Sequence, residues 1–261
     1  MNYKIKNKFA LVTGASRGIG QAICQSLSKE GAKIIACSRN EKDLSKLISS
    51  LTNKKKHFSF CADLSKRSEI DNLVKFIKDK KIHPDIIVNN VGGVPIINRD
   101  PLGPLDEWRK VMHLNVEVAV ELNRSFIPHM IKKKWGRICH ISSVAALENQ
   151  GPPSYCSSKA ALNAYIRSVA RYVAKDNVIL TSVMPGAILT KGGYWDLESK
   201  KNPKKVKKYL SERMAIKRFG KTSEISEIVK FLCSDLASFF VGSAVLVDGG
   251  QGRSFYPNDF E

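Results

Sequence analysis

Short apolar runs alternate along this chain with longer segments in which apolar residues recur every three to four positions, the periods of buried strands and amphipathic helices. Phe9-Ala10-Leu11-Val12 is one such run, and Ile19, Ala22, Ile23 and Leu27 then follow at helical spacing. Read this way, strands fall near 8–13, 33–38, 57–62, 86–89, 136–142, 178–184 and 244–247. Helices fall near 18–30, 41–51, 66–79, 106–133, 154–173 and 223–233, with Pro128 expected to kink or end the fourth. The alternation shows no composition break and no internal repeat. It predicts an α/β fold, a single-domain doubly wound parallel sheet of about seven strands with helices on both faces. A length of 261 residues suits one such domain spanning 1–261, and 43% apolar residues suffice for its core.

Between the first strand and the first helix stands Thr13-Gly14-Ala15-Ser16-Arg17-Gly18-Ile19-Gly20. Gly14 allows a tight turn, Gly18 lets backbone approach a phosphate, and Gly20 permits close packing of helix on strand. The helix start then offers free N–H groups and a positive dipole end to an anion. These features describe a dinucleotide pyrophosphate site. The second strand, Lys33-Ile34-Ile35-Ala36-Cys37, ends at Ser38-Arg39-Asn40, where such a sheet meets the adenosine ribose. A carboxylate there would favour NAD. Ser38 and Arg39, with Arg17 within reach, suit a 2′-phosphate instead, so the expected cofactor is NADP (NADPH).

Tyr155 and Lys159 stand four apart on the expected fifth helix and share a face. A free phenol, with a pKa of about 10, is a poor base at neutral pH. An ammonium about 4 Å away contributes roughly 4 kcal/mol at an effective dielectric of about 20, which would bring the phenol to near 7. A group of that pKa is suited to general acid–base work. Tyr155 is therefore expected to give a proton to a developing alkoxide in reduction, or take one in oxidation.

These motifs, in order, make the chain similar to the short-chain dehydrogenase/reductase family over nearly its whole length. The glycine turn matches it. So do Asp63-Leu64 after the third strand, Asn89-Asn90-Val91-Gly92, His113-Leu114-Asn115-Val116, Ile141-Ser142-Ser143, Tyr155-Cys156-Ser157-Ser158-Lys159, Pro185-Gly186 and Val247-Asp248-Gly249-Gly250. Any one of them is weak; together they are specific. The resemblance implies a catalytic tetrad of Asn115, Ser143, Tyr155 and Lys159. Ser143 would bond the substrate oxygen, Lys159 would also bind the ribose hydroxyls, and Asn115 would hold a water that passes protons to the lysine. It implies cofactor contacts from Gly14, Ser16, Arg17, Gly18, Ile19, Gly20, Ser38, Arg39, Asp63, Leu64, Asn90, Gly92, Tyr155, Lys159, Pro185, Gly186 and Ile188. Val91 replaces the usual alanine, Gly93 follows Gly92, and His140 precedes the catalytic strand end.

Within the family the chain most resembles 3-oxoacyl-carrier-protein reductases, and Lys134 and Arg171 stand where those enzymes carry basic residues toward their acidic carrier. The implied activity is interconversion of a ketone and a secondary alcohol. A 3-oxoacyl thioester and an anionic sugar both remain open as substrate, and a non-catalytic dinucleotide-binding scaffold is the alternative of another class. A homo-oligomer, tetramer or dimer, is expected from the resemblance. The tail from Gly252, with Phe255, Tyr256 and Phe260, is placed to reach a neighbouring subunit.

The net charge of +19 adds a question of partner. Lysines spread over most exposed segments, including Lys54-Lys55-Lys56 and Lys132-Lys133-Lys134, and no aromatic–basic interleaving marks a specific nucleic-acid site. A substrate lid is expected at about 187–215, and it holds Lys191, Lys200, Lys201, Lys204, Lys205, Lys207 and Lys208. That field would attract an anionic or carrier-bound substrate. Tyr194 and Trp195 in the same lid suit stacking on a sugar, lining an acyl tunnel or packing the lid down. Six scattered cysteines and five histidines lack ligand spacing, so no metal is expected. Without a signal peptide or an apolar run long enough to span a bilayer, a cytoplasmic, reduced protein is the expectation.

Overall fold

Seven parallel strands, β1 (Phe9–Thr13), β2 (Lys33–Ser38), β3 (Phe58–Cys61), β4 (Ile86–Asn89), β5 (Gly136–Ile141), β6 (Val178–Pro185) and β7 (Ala244–Val247), form one sheet in the order β3-β2-β1-β4-β5-β6-β7. The computed structural model describes residues 2–53, 56–94 and 100–253. Lys54, Lys55 and the tail aromatics Phe255, Tyr256 and Phe260 lie outside the described residues. Strand order reverses at β1, which pairs with β2 on one side and β4 on the other. Such a switch point opens a crevice at the carboxyl ends of the strands.

Strand alternation sorts the core into two layers. Ala10, Val12, Ile34 and Ala36 face the helices α1 (Gly18–Lys29), α2 (Glu41–Ser50) and α9 (Thr222–Leu232). Leu11, Ile35, Ile87, Ile138 and Leu180 face α3 (Arg67–Asp79), α5 (Val118–Lys133) and α6 (Pro153–Val173). With both faces covered, the strands read as apolar runs rather than as alternating ones. Each fully buried Leu or Ile contributes about 1.5–3 kcal/mol relative to exposure.

Two regions differ from the sequence reading. The helix expected over 106–133 is three pieces: α4 (Leu105–Met112), a π turn over His113–Glu117, and α5. In the π turn the Val118 N–H reaches back to the His113 carbonyl, and such turns concentrate at functional sites. Pro128 does not end α5, which runs to Lys133 and stops at Lys134 in a left-handed conformation. Proline removes a single N–H, and the buried Leu122, Phe126 and Met130 hold the helix on the sheet past that gap. The lid, in which no helices were expected, carries α7 (Tyr194–Lys201) and α8 (Pro203–Arg213). Only Val206 of this pair is buried, so apolar periodicity gave no signal.

No helix among the described residues is long and apolar enough to cross a membrane. At the start of β5, a Cβ on Gly136 would lie 2.6 Å from Met130 Sδ and 2.8 Å from its Cβ. Gly136→Ala should therefore destabilise the protein by about 1–3 kcal/mol through overpacking, measured by urea denaturation with an unchanged slope.

Candidate active site

The glycine turn that follows β1 is braced from β4. Asn90 Nδ2 donates to the carbonyls of Thr13 and Gly14 at 2.9 and 3.1 Å, and Thr13 Oγ1 accepts from the N–H groups of Asn90 and Val91 at 3.0 Å each. Gly14 and Gly18 have φ of 61° and 57°, the left-handed region. A Cβ on Gly20 would sit 2.3 Å from the Gly14 carbonyl oxygen, so only glycine fits. The N-terminus of α1 has neither a side-chain cap nor an acidic residue in its first turn. It keeps free N–H groups beside the turn, with Ser16 and Ile19 flanking Arg17 and Gly18.

At the end of β2, Ser38 is buried, and its hydroxyl has no hydrogen-bond partner among the described residues. Such orphans point to an absent water or ligand. Arg39 beside it is exposed. Arg17 is also exposed, and its Nη1 lies 3.8 Å from where a Cβ on Gly192 would be, at the lid side of the turn. Burial raises the Asp63 carboxyl, yet hydrogen bonds from the Ser65 hydroxyl and N–H, with Arg39 nearby, outweigh it and hold the group below the usual range. Leu64 is buried in the core beneath. On the far side, a Cβ on Gly186 would meet Gln251 Oε1 at 2.7 Å and the Asp248 backbone at 2.8 Å. Pro185 ends β6, and Ile188 bridges to Gly220 while packing on the core. These features fit a dinucleotide laid across the switch point.

Four side chains of the resemblance meet beyond the turn. Tyr155 and Lys159 lie one turn apart near the start of α6, where Pro152 and Pro153 set the helix entry. Lys159 is 3% exposed and donates to the Ile141 carbonyl at 2.9 Å. A Cβ on Gly92 would lie 2.7 Å from Asn115 Oδ1 and 3.2 Å from Lys159 Nζ, so those two converge on Gly92. Asn115 sits in the π turn, with its amide donating to the carbonyls of Gly93 and Val111 at 2.7 and 2.9 Å. Its Oδ1 accepts from the Gly93 N–H at 3.0 Å. Ser143 follows β5, accepts from the Ala145 N–H at 3.1 Å, and acts on the Tyr155 phenol.

The electrostatics correct one expectation. Burial raises the Tyr155 phenol above its ordinary value, and the hydrogen bond with Ser143 opposes this without reversing it. Burial lowers Lys159 to about 8. The phenol near 7 assumed an ammonium about 4 Å away. Here Nζ lies 5.6 Å from the centre of the Tyr155 ring and donates to the Ile141 carbonyl, deep in the protein. Desolvation therefore wins for both groups.

Several features were invisible to motif reading. Gln251 accepts from the Ala187 N–H at 2.7 Å, donates to Gln150 Oε1 at 3.3 Å and hydrogen-bonds Tyr209 of α8. Lone glutamines carry no sequence signature. Trp195 packs with its ring centre 4.2 Å from that of Tyr209 and 5.1 Å from that of Phe219, both tilted, so it helps pack the lid down. Lys134 is ion-paired with Asp176, whereas Arg171 is exposed. His83 and His129 stack at 3.8 Å, a pair not foreseen. No group of three or more His, Cys, Asp or Glu side chains is arranged for a metal among the described residues.

Residues 8–196 match the family described as short chain dehydrogenase. The chain is 34% identical over 264 residues to a 3-oxoacyl-(acyl-carrier-protein) reductase FabG of Aquifex aeolicus, covering 96% of this chain and 100% of that one. It is 37% identical over 258 residues to an L-xylulose reductase of Caenorhabditis elegans, covering 95% and 97%. Among solved structures, the L-sorbose reductase of Gluconobacter frateurii, complexed with NADPH and L-sorbose, superposes with a TM-score of 0.87 at 32% identity, covering 96% and 98%.

His140 is fully buried, and burial lowers its pKa from 6.5 to about 4. The unfolded chain therefore binds the extra proton between those values, and stability falls as pH drops through that window. The loss should reach about 3 kcal/mol by pH 4, read from denaturation midpoints, and His140→Asn should flatten that dependence.

Proposed function

This chain belongs to the short-chain dehydrogenase/reductase family and is an oxidoreductase, and on that footing we propose that it uses NADPH to reduce a ketone to a secondary alcohol. The observation that carries the reading is a continuous chain of side chains: Asn115 and Lys159 converge on Gly92, Lys159 lies against the Tyr155 ring, and Tyr155 hydrogen-bonds Ser143. The pyrophosphate would rest on Gly14, Ser16, Gly18, Ile19 and the N-terminus of α1. Ser38, Arg39 and Arg17 would take the 2′-phosphate; Asp63 and Leu64 would flank the adenine; Asn90, Gly92, Pro185, Gly186 and Ile188 would line the nicotinamide end. When bound, NADPH supplies the hydride for the carbonyl carbon.

This chain's own groups handle the oxygen. As the C=O double bond opens, Tyr155 Oη gives its proton to the oxygen, and Ser143 Oγ steadies it by a hydrogen bond. Lys159 holds positive charge beside the resulting phenolate, and Asn115 fixes the loop at Gly93. A phenol kept protonated by burial is ready to donate at neutral pH and is poorly prepared to accept. That supports reduction as the working direction.

The favoured substrate class is a 3-oxoacyl thioester. It is supported by the likeness to acyl-carrier-protein reductases and by exposed lysines on α8, namely Lys204, Lys205, Lys207 and Lys208. A keto-sugar is the second reading, favoured by the hydrogen-bonded polar pair Gln150 and Gln251, in the loop before α6 and after β7, and by the likeness to sugar reductases. A homo-oligomer belongs to the proposal too, supported by exposed apolar side chains at Leu105, Tyr172 and Phe239.

NADPH consumption with acetoacetyl thioester and keto-sugars in parallel decides between the classes; turnover of sugars alone would overturn the thioester reading. Tyr155→Phe should abolish turnover with NADPH affinity retained, and an active variant would end the assignment. Arg39→Ala should weaken NADPH by about tenfold, or about 1.4 kcal/mol, and leave NADH unchanged. Because Lys159 titrates at about 8, reduction should fall above that pH in a rate profile.

A further inference from the structure

Beneath the candidate site lies a buried polar layer that the reduction chemistry does not use. Asn89, His140 and Ser182 stand side by side across β4, β5 and β6. They face the same helices as Ile87, Ile138 and Leu180, the apolar residues two positions earlier on each strand. His140 Nδ1 lies 3.2 Å from the Thr181 carbonyl, and Nε2 lies 3.0 Å from Asn123 Nδ2. A carbonyl accepts, so Nδ1 carries the proton and Nε2 accepts from the amide. The tautomer is thereby fixed.

Asn123 is used completely. Its second N–H goes to the Tyr165 hydroxyl at 3.2 Å, and its Oδ1 accepts from Asn89 Nδ2 at 3.0 Å. One imidazole and one amide, both fully buried, thus tie β4, β5, β6, α5 and α6 together, with the half-buried Tyr165 as the α6 member. A polar group in a core is unfavourable unless its bonds are made, so this layer specifies position more than it adds stability. The residue it pins is the neighbour of Ile141, whose carbonyl holds Lys159.

We propose that His140, locked by Thr181 and Asn123, is a positioning residue that aims the Ile141 carbonyl at Lys159 and so fixes the ammonium beside Tyr155. Its uncharged ring suits that place. The side chains around it from β4, β6, α5 and α6 are Asn89, Ser182, Asn123 and Tyr165, and Lys159 is the charge that acts on it. A second cation there would repel the first. Loss of the carbonyl's hydrogen bond would make the charged lysine less favourable and move its titration downward.

This inference rests on the role proposed for Lys159. Wild type, His140→Leu and His140→Asn are compared in NADPH-dependent ketone reduction across pH, together with NADPH affinity and thermal midpoint. In His140→Leu, kcat should fall about 10- to 100-fold. The alkaline limb should shift to lower pH by at least about half a unit. NADPH affinity should stay within about twofold. His140→Asn, which keeps a donor and an acceptor, should restore the limb. Should His140→Leu not fold, Asn123→Ala serves, because it removes the ring's donor and leaves the ring. A folded variant with the wild-type pH profile, or one whose activity falls only in step with its folded fraction, overturns the inference. The functional reading fails separately, on wild type and Tyr155→Phe.

Discussion

The arrangement depends on one buried ammonium finding an acceptor. Lys159 is almost completely enclosed, and a charge in that environment is costly unless hydrogen-bonded. The Ile141 carbonyl is available because β5 ends there, and the chain turns away at Ser142 and Ser143. Strand length, helix entry at Pro152 and the polar layer below all converge on that contact. Moving any of them would leave a cation in the core without its partner, which is harsher than losing a surface ion pair.

Much of this was legible in the sequence because the relevant signals are local. All seven strands were read nearly to the residue, since buried parallel strands are uninterrupted apolar runs between turns. The glycine turn and the Tyr155–Lys159 spacing were legible for the same reason: each expresses a rule of geometry within a few residues. The π turn at His113–Glu117 was not, because its residues continue the helical apolar period while the backbone slips by one bond. The lid helices were hidden by their charge, with stability coming from Trp195, Tyr209 and Phe219 meeting across three segments.

The electrostatic misreading has the same origin. Spacing along α6 places Tyr155 and Lys159 on a common face but does not say where the ammonium points. A carbonyl on another element, 18 residues upstream, captured it. Pairwise Coulomb reasoning from helical spacing left burial out, and the solvent-exclusion cost is the larger effect for both groups. Asn90 shows the converse. Its amide donates to the Thr13 and Gly14 carbonyls, a brace across the switch point that the motif alone did not reveal.

Gln251 joins three regions that are remote in sequence: the Ala187 amide after β6, Gln150 in the loop before α6, and Tyr209 on the lid. Attempts to widen the cavity for bulkier ketones inherit that junction. Trimming position 150 or 209 withdraws a partner from the same side chain that anchors the backbone after Gly186. On the proposed reading, a wider ketone cavity therefore comes with a looser anchor for the backbone after Gly186.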